Sequence, residues 1–273
     1  MFKTLLKYLI VMIFAAMIYS PHSYSQQFSE TIEDNSFFIE EAFNQQERVV
    51  QHISNGYYQT DAKDFIYTFT QEWPVGSQMH QLSYTIPYQS IHAGSKGFGD
   101  IFINYRYQLW DDRNWSWVAP RLSVILPSGS SSKGLGNGVV GVQFCLPVSK
   151  RWSNEFISHF NLGITLLPDI KGETTAGSTV HKTLPSYYAG ASGIWLLSRN
   201  FNLMCEVLYT INSGIDGSGN VSFSFQAILS PGIRYAIDLG DLQIVPGVAF
   251  PFSFTSAGSD MNLFGYLSFE HPF

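Results

Sequence analysis

Residues 261–273 read Met-Asn-Leu-Phe-Gly-Tyr-Leu-Ser-Phe-Glu-His-Pro-Phe and stand at the end of the sequence. Leu263, Leu267, Phe269 and Phe273 all share one parity. Because side chains alternate between the two faces of a strand, this spacing predicts a β-strand with one apolar face. An apolar alternation that closes on Phe is typical of the last strand of bacterial outer-membrane β-barrels. In such a barrel the outward face of each strand meets lipid, so the inside is expected to be polar.

The same period of two continues upstream from about residue 49. Residues 223–238 show it most clearly, because one parity is mainly apolar and the other carries Gln226, Arg234 and Asp238. We therefore predict an all-β protein, a transmembrane antiparallel up-and-down barrel of about twelve strands after a short N-terminal periplasmic segment. The predicted strands are 49–58, 65–73, 79–88, 98–109, 115–126, 138–148, 155–166, 186–198, 201–212, 223–238, 241–254 and 261–272.

The connections between these strands alternate in length. Short ones fall at 74–78, 111–114, 149–154, 198–200 and 238–241. The intervening ones are mostly longer and rich in Gly and Ser, at 127–137, 167–185, 213–220 and 255–260. Short periplasmic turns and longer external loops are typical of outer-membrane barrels, and an even strand count puts both barrel ends in the periplasm.

The composition favours a protein whose surface is largely lipid. The 273 residues are 45% hydrophobic, 16% aromatic and only 13% charged, whereas soluble domains average about 25% charged residues. Aromatic residues are abundant at both interfaces of membrane barrels. Cys145 and Cys205 fall on different predicted strands and different faces, so we expect no disulfide.

The N-terminus predicts a secretory signal in residues 1–25. Lys3 and Lys7 precede an apolar core at 8–19, and Ser23-Tyr24-Ser25 offers a cleavage site before Gln26. A membrane anchor is the alternative, although the apolar stretch is short for a span. Loss of the two lysines changes the formal charge from −6 to −8, which argues against nucleic acid as a partner. We predict a periplasmic segment or plug at 26–48 and the barrel at 49–273.

Several stretches resemble the outer-membrane transporter family associated with the meta-cleavage (MetA) pathway of phenol degradation. They are 38–45 (FIEEAFNQ), 49–53 (VVQHI), 71–75 (QEWPV), 80–84 (HQLSY), 99–109 (GDIFINYRYQL) and 120–129 (PRLSVILPSG). The resemblance implies an outer-membrane barrel with a transport role. It supplies no binding residues to transfer to this sequence.

Charged residues of inward parity mark the middle of the predicted barrel. They are Arg106, Arg121, His159, Glu206 and Arg234, and Asn104 shares their face. We expect these six residues to line the pore, where an excess of arginine would favour anionic or polar-aromatic solutes. The alternative is that they pair with one another to stabilise a filled interior. Residues 26–48 could enter as well, since they carry six acids that would then lie among the arginines.

The remaining polar residues suggest binding partners of the barrel and no metal site. Most lysines after residue 25 fall in predicted external loops, where they could contact lipopolysaccharide phosphates. These lysines are Lys63, Lys96, Lys133, Lys171 and Lys182. The closing strand with Phe273 is the expected signal for the barrel-assembly machinery. The scattered histidines show no ligand spacing, so we expect no metal and no cofactor.

His52 and Ser54 form the one pattern that resembles catalysis. Outer-membrane lipid hydrolases carry a His-x-Ser pair on one strand face, oriented by an acid or amide from a neighbouring strand. Here the neighbouring positions are Ile66 and Thr68. The sequence therefore predicts a passive channel or transporter for small solutes and not an enzyme. A lipid hydrolase and a closed structural barrel are the alternatives.

Overall fold

The computed structural model describes residues 32, 36–92, 94–111 and 113–273. The predicted signal sequence at 1–25 lies outside this part of the chain, as do 26–31 and 33–35. Strands account for nearly all of the described chain, with one 3-10 turn at Ser131–Lys133. No helix among these residues is long and apolar enough to cross a membrane.

The strand segments pair into one antiparallel sheet. They are β1 Val49–Tyr58, β2 Phe65–Val75, β3 Ser77–Ser90, β4 Lys96–Phe98, β5 Ile101–Tyr107, β6 Trp117–Val118, β7 Arg121–Leu126, β8 Gly141–Ser153, β9 Phe156–Glu173, β10 Thr179–Leu196, β11 Phe201–Ile215, β12 Val221–Tyr235, β13 Ile237–Leu239, β14 Leu242–Ala249, β15 Phe252–Thr255, β16 Gly258–Met261 and β17 Leu263–Pro272.

These segments form a closed barrel of twelve strands. Consecutive segments continue one another at β4–β5, β6–β7, β12–β13, β14–β15 and β16–β17. Closure comes from β1 and β17, which pair antiparallel from Val49 opposite Pro272 to Tyr58 opposite Leu263. The predicted fold class is therefore confirmed. Both ends of the barrel chain lie at one rim, which by the prediction above is the periplasmic rim.

The two faces of each strand differ as the period of two requires. On β9, Leu162 is 62% exposed on the outer face, whereas His159 is fully buried on the inner face. Phe225, Leu203 and Val142 are likewise exposed on the outside. Exposed apolar side chains around a closed barrel form the surface that hydrocarbon requires, while every ladder hydrogen bond is made inside the sheet.

The long external loop predicted at 167–185 is mainly strand. β9 and β10 run on through Glu173 and Thr179, leaving only a short turn between them, with one register shift at Lys182/Leu184. The prediction was wrong because Asp169, Lys171 and Glu173 interrupt the apolar alternation. Ladder hydrogen bonds hold the backbone and need no apolar face beyond the lipid.

Residues 36–45, called here the inner segment, lie inside the barrel. A tight turn joins this segment to β1, with the Val49 amide donating to the Gln46 carbonyl at 3.1 Å and Arg48 at a φ of 63°. Phe37 packs its ring against Phe264 and Tyr266 at centroid distances of 5.3 and 5.5 Å.

The polar inside of the barrel also contains an apolar cluster. An apolar cluster fills the lumen on the side of β9 to β17 and includes Ile157, Ile194, Met204, Val245 and Phe264. Phe37 joins it by lying over Gly232 and Gly247, where an added Cβ would come within 2.5 and 2.8 Å of its ring. Polar side chains thus line the lumen together with an apolar cluster, because an internal chain segment brings apolar side chains of its own.

Candidate solute pathway in the barrel lumen

The six residues predicted to line a pore all lie on the inner face. Arg106, His159, Glu206, Arg234 and Asn104 are buried, and Arg121 is partly exposed. They come from β5, β7, β9, β11 and β12. Their partners include the inner segment, so the predicted pore residues and the N-terminal acids meet in one network.

Two of the arginines face each other directly. Arg106 on β5 is the register partner of Arg121 on β7. Like charges at directly opposite positions destabilise a sheet unless counter-charges are supplied. Glu41 supplies one at 2.8 Å from Arg106, and Glu40 another at 2.6 Å from Arg121. Both carboxylates belong to the inner segment.

Arg106 is fastened mainly by the inner segment. Its Nε donates to Asn44 Oδ1 at 2.9 Å, Nη1 to Glu41 Oε1 at 2.8 Å and Nη2 to the Phe43 carbonyl at 2.7 Å. The wall adds Glu72 on β2, at the longer distance of 3.8 Å. Both side chains of the Arg106–Glu41 pair are almost fully buried, at 4% and 2% exposed.

Arg121 is fastened mainly by the wall. Nη1 donates to Asn104 Oδ1 at 3.0 Å and to Ser123 Oγ, and Nη2 donates to Gln143 Oε1 at 2.9 Å. From the inner segment it receives Glu40 alone, which accepts from Nε at 2.8 Å and from Nη2 at 2.6 Å. This is the two-pronged geometry that a guanidinium prefers for a carboxylate.

Glu206 holds the inner segment from the opposite wall. Its Oε1 accepts from the backbone amides of Phe37, Phe38 and Ile39 at 3.0, 2.9 and 3.1 Å. Three consecutive amides converging on one oxygen form an anion-binding nest. Here the anion bound in the nest is a carboxylate of the barrel wall. Glu206 therefore holds the inner segment through its backbone amides.

Neutral side chains add further contacts to the backbone of the inner segment. Asn161 accepts from the Glu40 amide and donates to the Glu40 carbonyl, both at 2.8 Å. Ser149 Oγ accepts from the Ala42 amide at 2.7 Å and bonds His159 Nδ1 at 2.7 Å. His159 therefore acts through Ser149 on the segment. Of the other predicted pore residues, Arg234 donates to the Ile32 carbonyl at 3.0 Å.

Amide side chains near the periplasmic rim were missed by sequence reasoning. Gln81 accepts from the Gln45 amide at 2.7 Å, and Gln108 accepts from the Asn44 amide at 3.0 Å. Gln78 and Asn44 bond each other's carbonyls at 3.1 and 2.8 Å. Their inward parity was readable in the sequence, but uncharged amides gave no charge pattern to follow.

A cavity of about 280 Å³ remains between the inner segment and the wall of β1 to β8. Its volume is close to the lower limit for small-molecule pockets, about 300 Å³. The lining combines aromatic rings with hydroxyl, amide and charged groups. Among the lining residues are Phe38, Phe102, Tyr266, Thr68, Asn104 and Arg121.

The loop at 127–140, called here the mouth loop, folds against β4 and β5 at the external rim. Asp100 accepts from the Gly129 amide at 3.0 Å, the Asn137 amide at 2.6 Å and the Asn137 side chain at 2.9 Å. Leu135 is buried beside Gly97. This predicted external loop remains a long loop and extends to residue 140, three residues beyond its predicted end at 137.

His52 and Ser54 point away from the lumen. They share the outer parity of β1, where His52 lies opposite Gln71 and Ser54 opposite Phe69. His52 Nε2 is 3.4 Å from His271 Nε2, and Ser54 Oγ is 3.0 Å from the Tyr67 hydroxyl. The two residues thus have separate partners in the described chain. No group of three or more potential metal ligands occurs in that part of the chain either.

Comparison with known proteins yields likeness in fold alone. No family model matches the chain, and no curated protein matches it. The NanC porin is similar with a TM-score of 0.54 at 6% identity, over 81% of this chain and 100% of that one. The COG4313 outer membrane channel from Pseudomonas putida F1 is similar with a TM-score of 0.56 at 9% identity, over 93% and 100%. The resemblance to the phenol-pathway family stays a prediction.

The closed barrel, its apolar outer surface and its likeness to outer-membrane barrels indicate a protein of the Gram-negative outer membrane. Its lumen contains a charged network and a cavity, both formed jointly by the wall and the inner segment.

Proposed function

We propose that this protein is an outer-membrane channel for the passive movement of small solutes, with the inner segment narrowing the pore. The observation that carries the proposal is the inner surface of β2 to β8. It presents Arg121, amides and hydroxyls to a cavity, where a barrel closed for stability alone would fill the space with packed side chains. Arg106, Arg121, His159, Glu206, Arg234 and Asn104 are the proposed pore residues.

The solute class in this proposal is anionic or aromatic. Arg121 beside the cavity attracts anions, and the rings of Phe38 and Phe102 offer apolar contact. The phenol-pathway resemblance points to aromatic solutes independently of this geometry. With the inner segment in place, Glu40 and Glu41 offset the charge of Arg121 and Arg106, so selectivity depends on where that segment lies.

Single-channel conductance in a planar bilayer tests the proposal, with a salt gradient to read ion selectivity. We expect discrete steps that favour anions, and a shift toward cations when Arg106→Ala and Arg121→Ala are combined. Correctly folded protein that stays silent both with and without residues 36–45 would contradict the channel. Unchanged selectivity in the double variant would remove these arginines from the pathway.

The proposed partners are lipid and lipopolysaccharide around the barrel, the solute inside it, and the barrel-assembly machinery during insertion. Phe273 is exposed, and its amide donates to the Arg48 carbonyl at 2.9 Å. Phe273 thus lies beside the junction of β1 and β17, where the final strand would pair with β1 to close the barrel. Lys63 and Lys133 at the external rim are candidates for contact with lipopolysaccharide.

A further inference from the structure

We propose that Arg121 is the binding site for the carboxylate of a small solute, and that Glu40 occupies this site as an internal competitor. The inference deepens the proposed channel function and rests on it. The solute we infer is a small monocarboxylate with a flat apolar body.

Arg121 keeps its position without Glu40. Asn104 and Gln143 each accept from its guanidinium, at 3.0 and 2.9 Å. These two side chains are braced in turn, because Asn104 donates to Ser83 at 3.0 Å and Gln143 donates to Thr165 at 2.9 Å. The guanidinium is therefore pre-organised by the wall, which lowers the cost of binding a new carboxylate there.

Glu40 can leave Arg121 while the inner segment stays seated. Its backbone is held separately, by Asn161 on both its amide and its carbonyl. Its side chain is 34% exposed, whereas that of Glu41 is 2% exposed. Rotation of the Glu40 side chain is then enough to free the two N–H groups that it occupies, Nε and Nη2.

The charge pattern favours an anion in its place. Arg106 and Arg121 are direct register partners, and Glu41 neutralises only Arg106. Displacing Glu40 therefore leaves the Arg121 guanidinium without its carboxylate partner beside a second guanidinium. Exchanging Glu40 for a solute carboxylate keeps the charge balance of the site. A neutral solute of the same shape offers no such compensation, and this difference gives the site its specificity.

The cavity beside Arg121 suits the rest of such a solute. Phe38, Phe102 and Tyr266 supply ring surface, and Thr68 supplies a hydroxyl. A volume of about 280 Å³ admits a single small ring with its carboxylate. The site as a whole then joins ring surface to a largely polar lining, whose polar groups can fix the orientation of the solute.

Calorimetric titration of the purified protein with benzoate tests the proposal, with benzamide as the neutral isostere. We expect benzoate to bind, and benzamide to bind at least about tenfold more weakly. This ratio corresponds to the binding free energy that charge-assisted hydrogen bonds usually contribute. Glu40→Gln removes the competitor and should tighten benzoate binding by about tenfold. Glu47→Gln is the matched control, because it removes the same charge from an exposed position seven residues further on, and it should leave benzoate affinity unchanged.

Arg121→Gln should abolish benzoate binding. If this variant does not fold, the gain expected in Glu40→Gln still decides the matter, because misfolding cannot tighten binding. Equal binding of benzoate and benzamide, no binding at all, or equal affinities in Glu40→Gln and Glu47→Gln would each overturn the proposal. Conductance measured on the same preparations reports separately on the channel, so its failure is distinguishable from failure of the carboxylate site.

Discussion

The inner segment and the mouth loop both fold against the inside of the wall, but they are held in different ways. The inner segment is seated by β3, β5, β7, β8, β9 and β11, through side chains far from it in sequence. The mouth loop is held largely by Asp100, which lies about thirty residues away. The comparison teaches that one segment supplies the counter-charges of Arg106 and Arg121, whereas the other is a local fold that could open alone.

Deleting residues 36–45 is the strongest way to test this difference. The deletion removes Glu40 and Glu41, empties the apolar pocket over Gly232 and leaves the pore unobstructed. We expect single-channel conductance to rise severalfold and anion preference to increase, since Arg106 and Arg121 then face the pore without these carboxylates.

Glu47→Gln serves as the control for the deletion, because it removes one exposed carboxylate from the turn before β1 and leaves residues 36–45 in place. Its conductance should equal that of the unaltered protein. A deletion variant that folds but conducts no better would show that the inner segment is not the constriction.

Glu206→Ala should have the next largest effect. It removes one carboxylate that accepts three backbone amides. A hydrogen bond to a charged group contributes about 1.5–3 kcal/mol, and three that share one oxygen do not add fully. We expect a loss of about 3 kcal/mol in the seating of the segment, seen as an open-state population roughly 100-fold higher in conductance recordings.

Glu173→Ala is the matched control for this change, since Glu173 is an exposed carboxylate on β9. It should leave the open-state population where it was. If both variants behave alike, the nest at Glu206 does not seat the inner segment.

Asp100→Ala tests whether Asp100 holds the mouth loop against the barrel wall. Three hydrogen bonds to Asp100 are lost, so the loop should detach while the inner segment stays in place. We expect trypsin to cleave after Lys133 about tenfold faster, because local opening controls proteolysis at loops. Main-level conductance should change little.

Asp216→Ala provides the control, because Asp216 holds a different external turn through the Ser218 and Asn220 amides. Cleavage after Lys133 should be unaffected there. A large rise in conductance with Asp100→Ala would contradict the view that the mouth loop is a local fold.

Ser149→Ala should give the smallest effect. It removes one neutral contact to the Ala42 amide and leaves His159 without its hydroxyl partner. A neutral hydrogen bond contributes about 1 kcal/mol, so the open-state population should rise by roughly fivefold. Ser153→Ala, at the exposed end of β8, should produce no change. If Ser149→Ala raised the open-state population as much as Glu206→Ala, the charge of Glu206 would not explain why its contacts hold the inner segment more strongly.

The barrel could be predicted from the sequence because a period of two is written in every strand. The first predicted strand, 49–58, coincides with β1, and the inward parity of Arg106, His159 and Glu206 follows from the same pattern. Where strands extend beyond the lipid, apolar and polar residues no longer alternate, so the period of two no longer predicts strand. Residues 167–173 are strand although Asp169, Lys171 and Glu173 interrupt the apolar alternation, because backbone pairing maintains them.

The partners of the inward residues could not be predicted in this way. Parity gives the face of a side chain, but not which distant residue meets it across the lumen. That Glu206 would bind backbone amides, or that Arg106 and Arg121 would take separate glutamates, depends on the path of an irregular segment. The apolar residues at 37–39 were the one signal that this segment packs against something.

The tight turn at Gln46–Val49 sets the effective concentration of the inner segment. Because only three residues separate it from β1, its carboxylates stay near the arginines at a local concentration of about millimolar or more. A dissolved anion must reach a comparable concentration before it competes. Flexible residues inserted after Glu47 would lower that threshold roughly as the −3/2 power of the tether length, without altering a single contact. The length of this turn thus sets the concentration of solute anion that is needed to displace the carboxylates of the inner segment from the arginines.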